Sequence, residues 1–222
     1  MDILNLGSHR IGARFPEKGL RKGKNPAILL NDGELIEQLN LRTERAVLVG
    51  VYPNNRLSEY TPWPEPAFRP GTPDFGGQLG QYHRELNNEI LTALIDEYAL
   101  DTEKLAYGGY SLGGLAATMS LWETDAFAAV FSLCGSFWYP GVADFIEEHV
   151  PKNYSAQVYL QNGIREGEGH NNRLCDAYSY AQRVHTALQA TCGAKTVLDD
   201  YGHHDRQSER LNAALCWVER VL

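Results

Sequence analysis

The pentapeptide Gly109-Tyr110-Ser111-Leu112-Gly113 fits the pattern G-x-S-x-G, in which a serine occupies a sharp turn between a strand and a helix. Residues 104–107 before it predict a short buried strand, and residues 114–122 after it predict a helix of small and apolar side chains. Glycines two positions either side of the serine let the chain fold back tightly. Such a turn lifts the hydroxyl out of the sheet, and the helix N-terminus favours negative charge developing beside it. The pattern therefore predicts that Ser111 is a nucleophile.

The base that a serine nucleophile needs at neutral pH is available from two neighbouring histidines. His203 and His204 lie in the loop that follows a predicted strand at residues 195–199. Parallel sheets present catalytic groups at this end of their strands. An imidazole has an unperturbed pKa of about 6.5, so it can accept and return a proton near neutrality. The residues by themselves leave the choice between the two histidines open.

A carboxylate that orients the histidine is expected between the serine and the histidine in the chain. Glu166, Glu168 and Asp176 all follow a predicted strand at residues 158–162. Glu166 comes first after the strand, whereas Asp176 falls within a predicted helix. A carboxylate here would hold the imidazole in the required tautomer and stabilise its charged form. Glu166 is therefore the leading candidate, with Glu168 and Asp176 as alternatives.

Two backbone amides are expected to bind the oxyanion of a tetrahedral intermediate. One belongs to Leu112, directly after the nucleophile, and the other to the loop after an early core strand. Asn31-Asp32-Gly33-Glu34 follows such a strand, and Gly33 would allow close approach of the backbone. Core and edge packing is expected for at least half of the aromatic residues near the loops, and the rest would line an apolar pocket: Tyr60, Trp63, Phe68, Phe75, Tyr110, Phe137 and Trp138. Of these, Tyr110, which precedes the nucleophile, is the first candidate to contact substrate.

The charge and composition of the chain exclude several classes of partner. The 222 residues carry a formal net charge of -8 with scattered basic residues, so the electrostatic footprint of a nucleic-acid-binding protein is missing. No stretch approaches the ~18 apolar residues that a membrane helix needs, and the N-terminus lacks the pattern of a signal peptide. The four cysteines show no metal-ligand spacing, and no disulfide framework is expected without an export signal. We therefore expect a cytoplasmic protein without a metal site.

Strand-like apolar runs alternate with helical patterns along the chain. Strands are predicted at residues 27–30, 46–51, 104–107, 127–133, 158–162 and 195–199, and helices at 34–41, 82–98, 114–122, 142–148, 171–190 and 206–221. Apolar runs without alternation are typical of strands covered on both faces. Residues 53–77 predict an irregular, functional segment, rich in proline (Pro53, Pro62, Pro64, Pro66, Pro70 and Pro73). The sequence therefore predicts one α/β domain over residues 1–222 with a mainly parallel sheet.

The chain resembles the Putative esterase family, which includes esterase D and the enterochelin (siderophore) esterases. Seven matching pieces in the right order carry the resemblance: residues 26–33, 47–51, 56–62, 110–115, 134–138, 163–166 and 202–205. They include Arg56-Leu57-Ser58-Glu59-Tyr60-Thr61-Pro62, Cys134-Gly135-Ser136-Phe137-Trp138 and Gly202-His203-His204-Asp205. The resemblance implies an α/β-hydrolase fold with helices on both faces of the sheet, a serine nucleophile, and no metal or organic cofactor.

The resemblance also implies which residues carry the reaction. The family's histidine lies in a Gly-Gly-His-Asp-like element, whose alignment puts the base at His204 and replaces the second glycine with His203. The acid aligns with Glu166, and Arg56 would lie near the substrate pocket. Siderophore esterases tend to carry tryptophans shortly after this histidine, where this chain has residues 206–209 without one. A simpler small-molecule carboxylic ester is therefore the expected substrate.

The expected chemistry is hydrolysis of that ester through an acyl-enzyme on Ser111. An acyltransferase, a peptidase or a siderophore-type esterase would use the same residues. A catalytically inactive hydrolase fold that acts as a binding protein is the alternative from another class. The intact serine, histidine and acid favour the enzyme.

Overall fold

Ten strands lie in the part of the chain that the structure, a computed structural model, describes: residues 1–68 and 71–222. They are Asp2–Leu6 (β1), His9–Arg14 (β2), Asn25–Asn31 (β3), Val47–Tyr52 (β4), Pro64–Glu65 (β5), Phe75–Gly76 (β6), Leu100–Tyr110 (β7), Ala129–Leu133 (β8), Gln157–Gly163 (β9) and Lys195–Asp199 (β10). Pro70, in the segment predicted to be irregular, lies outside the described residues.

Eight of these strands form one sheet in the order β1-β2-β4-β3-β7-β8-β9-β10. The pairs β1–β2 and β2–β4 are antiparallel, and every pair from β4 to β10 is parallel. Tyr110 pairs with Leu133, and Leu133 pairs with Gln161. Because neighbouring parallel strands end together, the residues that follow β7, β8 and β9 meet at one edge of the sheet. The strands β5 and β6 form a separate antiparallel ribbon.

Eight α-helices connect or flank the strands in the described residues. They are Glu34–Gln38 (α1), Arg56–Glu59 (α2), Leu79–Glu85 (α3), Leu91–Tyr98 (α4), Leu112–Glu123 (α5), Val142–Glu148 (α6), Ala177–Cys192 (α7) and Gln207–Val221 (α8). A π-helical turn at Leu86–Ile90 joins α3 to α4, and a 3₁₀ turn at Arg173–Asp176 precedes α7. None of the described helices is both long enough and apolar enough to cross a membrane.

The sheet has a hydrophobic layer on each face. Successive strand residues point to opposite faces, so Leu29 joins one layer and Ile28 and Leu30 join the other. The first layer contains the apolar faces of α3 to α7, and the second contains those of α1 and α8. This two-sided burial explains why the central strands are apolar without alternation.

The predicted α/β class, with a mainly parallel sheet between two layers of helices, is confirmed. The hairpin β1–β2 is absent from the prediction because its strands are short and half polar, as in His9-Arg10-Ile11-Gly12-Ala13-Arg14. The segment predicted to be irregular contains α2 and the ribbon β5–β6.

Candidate active site

Ser111 occupies the turn between β7 and α5 and has a strained backbone. Its φ is 60° and its ψ is -122°, a conformation that residues other than glycine rarely adopt. Its amide donates to the carbonyl of Leu133 at 2.9 Å, and its carbonyl accepts from the amides of Leu115 and Ser136 at 3.0 and 3.1 Å. The hydroxyl of Ser136 lies 3.4 Å from the Oγ atom of Ser111. These contacts fix the Ser111 side chain in a partly exposed position.

The two glycines of the G-x-S-x-G pattern allow β7 and α5 to approach closely. A Cβ atom on Gly109 would lie 2.4 Å from the carbonyl carbon of Gly113, and one on Gly113 would lie 2.9 Å from Cβ of Asn31. The side-chain amide of Asn31 donates to the carbonyl of Gly113 at 2.8 Å. Larger residues would therefore push the helix away from the strand that carries Ser111.

A continuous hydrogen-bonded path joins Ser111, His203 and Glu166. Nε2 of His203 lies 3.0 Å from Oγ of Ser111, and Nδ1 lies 2.9 Å from Oε2 of Glu166. An ionised carboxylate only accepts hydrogen bonds, so Nδ1 carries the proton and Nε2 is free to accept the proton of the serine hydroxyl. The side chain of His203 is 25% exposed, whereas that of Glu166 is 3% exposed. The histidine is thus open to an incoming molecule, and the carboxylate lies behind it.

His203, and not His204, lies beside Ser111, which corrects the expectation from the family alignment. A carboxylate oxygen of Asp205 accepts from the amide of Gly202 at 2.8 Å, and this closes a tight turn. Within the turn the two histidine rings are nearly perpendicular, with centroids 4.9 Å apart. His203 is directed at the serine, and His204 is exposed. An alignment anchored on Asp205 therefore selects the outward-facing neighbour.

Glu166 is held by groups at the end of β9. Its Oε1 accepts from the amide of Gly163 at 2.8 Å and from the side chain of Asn162 at 3.2 Å. Burial by itself would raise the pKa of the Glu166 carboxyl. The hydrogen bond and charge of His203, together with the Gly163 amide, outweigh burial and lower the pKa below its ordinary value. Glu166 is therefore ionised at neutral pH.

The alternative acids lie elsewhere. Glu168 is exposed and pairs with Arg165 at 2.9 Å. Asp176 is exposed and immediately precedes α7. Of the three candidates, the structure brings only Glu166 to the histidine.

A buried arginine of α8 anchors the loop that carries His203. Arg210, which is 2% exposed, donates to both carboxylate oxygens of Asp199 and to the carbonyl of Gly202. Its Nη1 also lies 3.2 Å from the phenol oxygen of Tyr110. That phenol in turn donates to the carbonyl of His203. Groups from α8 and from the ends of β7 and β10 thus hold the histidine loop.

Tyr110 faces this loop, which corrects the expectation that it contacts substrate. Its side chain is buried, and it is absent from the described residues that line the cavity above Ser111. Burial and the neighbouring thiol of Cys134 raise the pKa of the phenol. Tyr110 therefore keeps its proton and serves as a hydrogen-bond donor to the backbone of His203.

Gly33 does not offer its amide to an oxyanion, which corrects a third expectation. The amide donates to the carbonyl of Val51 at 3.0 Å. A Cβ atom on Gly33 would lie 2.8 Å from the carbonyl carbon of Gly50, so the glycine permits close packing of this loop on β4. Leu112 is the first residue of α5, and its amide belongs to the helix N-terminal groups that have no partner within the helix.

Arg56 places a guanidinium, paired with Asp32, beside the turn that carries Ser111. It forms a bidentate ion pair with Asp32, with N–O distances of 2.8 and 2.9 Å. Its Nη2 also lies 3.3 Å from the carbonyl oxygen of Tyr110. Burial would lower the pKa of the guanidinium, but Asp32 raises it above its ordinary value. Arg56 thus contacts Tyr110, the residue directly before Ser111, although Arg56 is absent from the described lining of the cavity.

A cavity of ≈ 470 Å³ opens over Ser111 and His203. Its other lining residues are Phe68, Trp138, Arg165, Glu166, Gly167, Glu168, His170, Leu174, Ala177, Gly202, His204 and Asp205. The rings of Phe68 and Trp138 are in contact, with centroids 4.9 Å apart. Most of the remaining lining comes from the loop between β9 and α7. A molecule of modest size can therefore reach both the serine hydroxyl and the imidazole.

Cys134 lies against this site, although the sequence indicates no role for it beyond its place in the matching piece 134–138. Its Sγ atom, an oxygen of Glu166 and a nitrogen of His203 lie within 4.8 Å of one another. Nη1 of Arg210 is 2.8 Å from Sγ. Burial raises the pKa of the thiol, so Cys134 is a neutral neighbour of the Glu166 carboxylate.

A serine on a strained strand-to-helix turn, a carboxylate after the next-to-last strand and a histidine after the last strand define an α/β-hydrolase. The chain belongs to the Putative esterase family, whose model matches residues 11–215, and its class of activity is carboxylic ester hydrolysis. The family resemblance inferred from the sequence is thereby confirmed.

Comparison with individual proteins agrees with this family. The chain is 28% identical over 204 residues to the protein YbbA of Bacillus subtilis (strain 168), a match that covers 83% of this chain and 82% of YbbA. Among solved structures, the siderophore hydrolase EstB from Aspergillus nidulans superposes with a TM-score of 0.71 at 16% identity, covering 98% of this chain and 93% of EstB. An IroE-like serine hydrolase from Shewanella oneidensis gives a TM-score of 0.69 at 17% identity, covering 94% of this chain and 73% of that chain. These two likenesses show a common fold.

Proposed function

We propose that this enzyme cleaves a small-molecule ester through an acyl-enzyme on Ser111, with His203 as general base and Glu166 as the acid that orients it. The supporting observation is the hydrogen-bonded path from Oγ through the imidazole to the carboxylate, with distances of 3.0 and 2.9 Å. Both distances lie within the range that proton transfer requires. The cavity over Ser111 gives an ester access to this path.

In the first half of the reaction, Oγ of Ser111 attacks the ester carbonyl carbon while Nε2 of His203 takes the hydroxyl proton. The carbonyl oxygen becomes an oxyanion, and Glu166 stabilises the imidazolium that forms. When the tetrahedral intermediate collapses, the bond to the alcohol breaks and His203 returns the proton to the leaving oxygen. In the second half, water attacks the acyl-enzyme by the same route, and the acid product leaves with Ser111 restored.

We propose the amide of Leu112 as the first donor to the oxyanion, because it follows the nucleophile and belongs to the N-terminus of α5. With the amide of Gly33 engaged by Val51, Arg56 is proposed to support the turn that carries Ser111 from outside the cavity. Its guanidinium is held by Asp32 and lies 3.3 Å from the carbonyl oxygen of Tyr110. Arg56→Lys is expected to lower kcat about tenfold or more, because a lysine cannot keep both the bidentate ion pair and the third contact.

The charge of the cavity lining favours an uncharged or cationic ester over a polyanion. Among the described lining residues, Arg165 is the one arginine, and it is paired with Glu168. Three carboxylates, those of Glu166, Glu168 and Asp205, line the same cavity. A strongly anionic substrate would meet net repulsion here.

We also propose a reducing compartment, since all four cysteines are free thiols.

The test uses covalent labelling and matched pairs of neighbouring residues. A fluorophosphonate probe should add once to the wild-type protein at Ser111, as read by intact mass and peptide mapping, and Ser111→Ala should neither be labelled nor hydrolyse p-nitrophenyl acetate. His203→Gln should lower kcat/KM by about 10⁴-fold or more, whereas His204→Gln should change it less than about fivefold. Glu166→Gln should cost about 10³–10⁴-fold, against little for Glu168→Gln.

The opposite results would reject the proposal. A folded wild-type protein that resists the probe, or an activity that survives Ser111→Ala, would remove the acyl-enzyme. Loss of activity in His204→Gln with retention in His203→Gln would assign the base to the other histidine. Acyl transfer to added ethanol that outpaces hydrolysis would indicate an acyltransferase.

A further inference from the structure

Buried polar side chains continue the hydrogen-bonded path behind Glu166. The side-chain amide of Asn162 lies 3.2 Å from Oε1 of Glu166, and its oxygen lies 3.0 Å from Nε2 of His185. Asn162 is at the end of β9, and His185 is on α7. Both side chains are buried. The path therefore runs from the cavity to the core through five side chains.

The direction of every hydrogen bond in this path follows from the chemistry of Glu166. A carboxylate only accepts, so the NH₂ group of Asn162 faces Glu166 and its carbonyl oxygen faces His185. The Asn162 oxygen also only accepts, so Nε2 of His185 must carry a proton. Each member thus donates toward the carboxylate, from the core side through Asn162 and from the cavity side through His203.

The surroundings of His185 give this contact its significance. On α7 the neighbours on the same face are Ala181, Val184 and Leu188, all buried and apolar. Within the described residues, Nδ1 of His185 has no hydrogen-bond partner. Burial lowers the pKa of His185 to about 4, so the ring is neutral at neutral pH with a single N–H group. A leucine would fit this apolar position but would leave the buried Asn162 oxygen without its donor, whereas the histidine directs its one N–H group to that oxygen.

Few titratable groups lie near Glu166 and influence the orientation of its carboxylate. The titratable groups facing it are His203, the protonated thiol of Cys134 and, beyond that thiol, Arg210. Oε2 is taken by His203, so the orientation of the carboxylate depends on what holds Oε1. The Gly163 amide and the Asn162 side chain are the two groups that do so.

We propose that Asn162 and His185 are positioning residues that hold Glu166 ionised and oriented toward His203. This inference rests on the proposed function, in which Glu166 stabilises the imidazolium. With Oε1 fixed, Oε2 stays in line with Nδ1 while the proton moves to and from Nε2. Loss of the donor to Oε1 raises the proton affinity of the coupled Glu166–His203 pair, so the base loses its free form at a higher pH.

The central experiment measures pH profiles of p-nitrophenyl acetate hydrolysis for Asn162→Leu and His185→Leu. Both should lower kcat about tenfold with KM changed less than about twofold. Asn162→Leu removes a donor to the Glu166 carboxylate, His185→Leu removes the group that orients this donor, and neither change touches a contact to substrate. The acid limb of kcat/KM should move to higher pH in both variants. His185→Gln keeps an N–H donor and should restore much of kcat and return the acid limb toward the wild-type position.

A matched control separates positioning from simple burial of a histidine. His83 on α3 is also buried, and its Nε2 has no hydrogen-bond partner within the described residues. Its Nδ1 contacts Glu123, which is not part of the hydrogen-bonded path from Ser111 to His185. His83→Leu should leave kcat and the acid limb at their wild-type values. A general effect of core replacement would instead move His83→Leu and His185→Leu alike and would overturn the proposal.

A measurement on the unmodified protein covers the case in which a variant does not fold. ¹⁵N-detected histidine spectra should show His185 as the neutral Nε2–H tautomer throughout pH 5.5–8. An Nδ1–H tautomer would overturn the proposal. Failure of the proposed function is distinguishable, since it would appear as an unlabelled Ser111 or an active Ser111→Ala. If labelling and Ser111→Ala behave as expected while Asn162→Leu and His185→Leu match the wild type, this inference alone fails.

Discussion

The phenol of Tyr110 donates a hydrogen bond to the backbone carbonyl of His203. The residue immediately before the serine thus holds the residue whose imidazole contacts the serine. The ring of Tyr110 also meets that imidazole edge to face, with centroids 5.7 Å apart. The separation between Oγ of Ser111 and Nε2 of His203 is therefore set at the end of β7 as well as within the histidine loop.

Removal of this hydroxyl should loosen the histidine without touching substrate. Tyr110→Phe is expected to lower kcat about tenfold with little change in KM, and to cost about 1–2 kcal/mol of unfolding free energy because the His203 carbonyl and Arg210 each lose a partner. Urea unfolding and ester hydrolysis measure the two effects. Tyr159→Phe is the control, since Tyr159 is also buried and its hydroxyl contacts Gln161 at 2.9 Å. Equal losses of kcat in the two variants would contradict the prediction.

Arg210 should matter for stability far more than an exposed arginine that also forms ion pairs. Arg210→Ala leaves the carboxylate of Asp199 without its cation, and we expect a loss of about 3–5 kcal/mol. Arg183→Ala is the comparison, because Arg183 pairs with Asp144 and Glu147 on the surface. Exposed pairs of this kind contribute at most about 1 kcal/mol. A thermal or urea unfolding series on both variants decides the matter, and similar losses would refute the contrast.

The strain at Ser111 should be measurable in inactive variants. Ser111→Ala keeps a side chain at φ of 60° and ψ of -122°, whereas Ser111→Gly relieves that conformation. Strain of this kind lowers the free energy of unfolding by about 1–3 kcal/mol. Glycine removes the strain but lowers the free energy of unfolding by about 0.5–1 kcal/mol, because it gives the unfolded chain more conformational freedom. Ser111→Gly should therefore be about 1 kcal/mol more stable than Ser111→Ala in chemical unfolding. A glycine variant less stable than the alanine variant would show that the turn is unstrained.

His185 should make the fold sensitive to mild acid. Its pKa falls from an ordinary 6.5 to about 4 in the folded state. Above pH 6.5 the ring is neutral whether the chain is folded or unfolded, and the residue contributes no pH dependence. Between pH 6.5 and 4 the unfolded chain takes up a proton that the folded chain does not, so stability falls as pH falls, by about 3 kcal/mol in total. Unfolding free energies at intervals through this range should show a steeper fall for the wild type than for His185→Gln. Parallel curves would contradict the assignment.

The layered architecture and the strand-to-helix turn at Ser111 could be predicted because each depends on local signals. Apolar runs without alternation indicate strands buried on both faces, and two glycines around a serine indicate a tight turn. Glu166 could be ranked first by its place directly after a strand. These features require no knowledge of which distant residues meet.

The choice of histidine could not be made in this way. His203 and His204 are adjacent, and which of them turns inward depends on the contact between Asp205 and the amide of Gly202. Likewise, the amide of Gly33 is engaged because the loop packs on β4, a long-range contact. Sequence patterns carry no direct signal for either contact.

Arg210, which anchors the histidine loop, could have been recognised from the helical pattern of the sequence. Arg210 shares the buried face of α8 with Leu211, Ala214, Leu215 and Val218. A charged residue on an apolar helix face needs a buried partner, and Asp199 ends the preceding strand. His185 gives the same signal on α7.

The loop between β9 and α7 has two parts that occupy different places in the cavity. Glu166, near its start, is fastened to β9, while Glu168, His170 and Leu174 line the opening. Gly167 separates the two parts, with a φ of 92°, and a Cβ atom there would lie 2.1 Å from the carbonyl oxygen of Leu174. Exchange of residues 168–174 between relatives would therefore alter which esters are admitted while the reacting groups stay in register. We expect such an exchange to keep Glu166 in place only where Gly167 is retained, because any larger residue there would collide with the backbone at position 174.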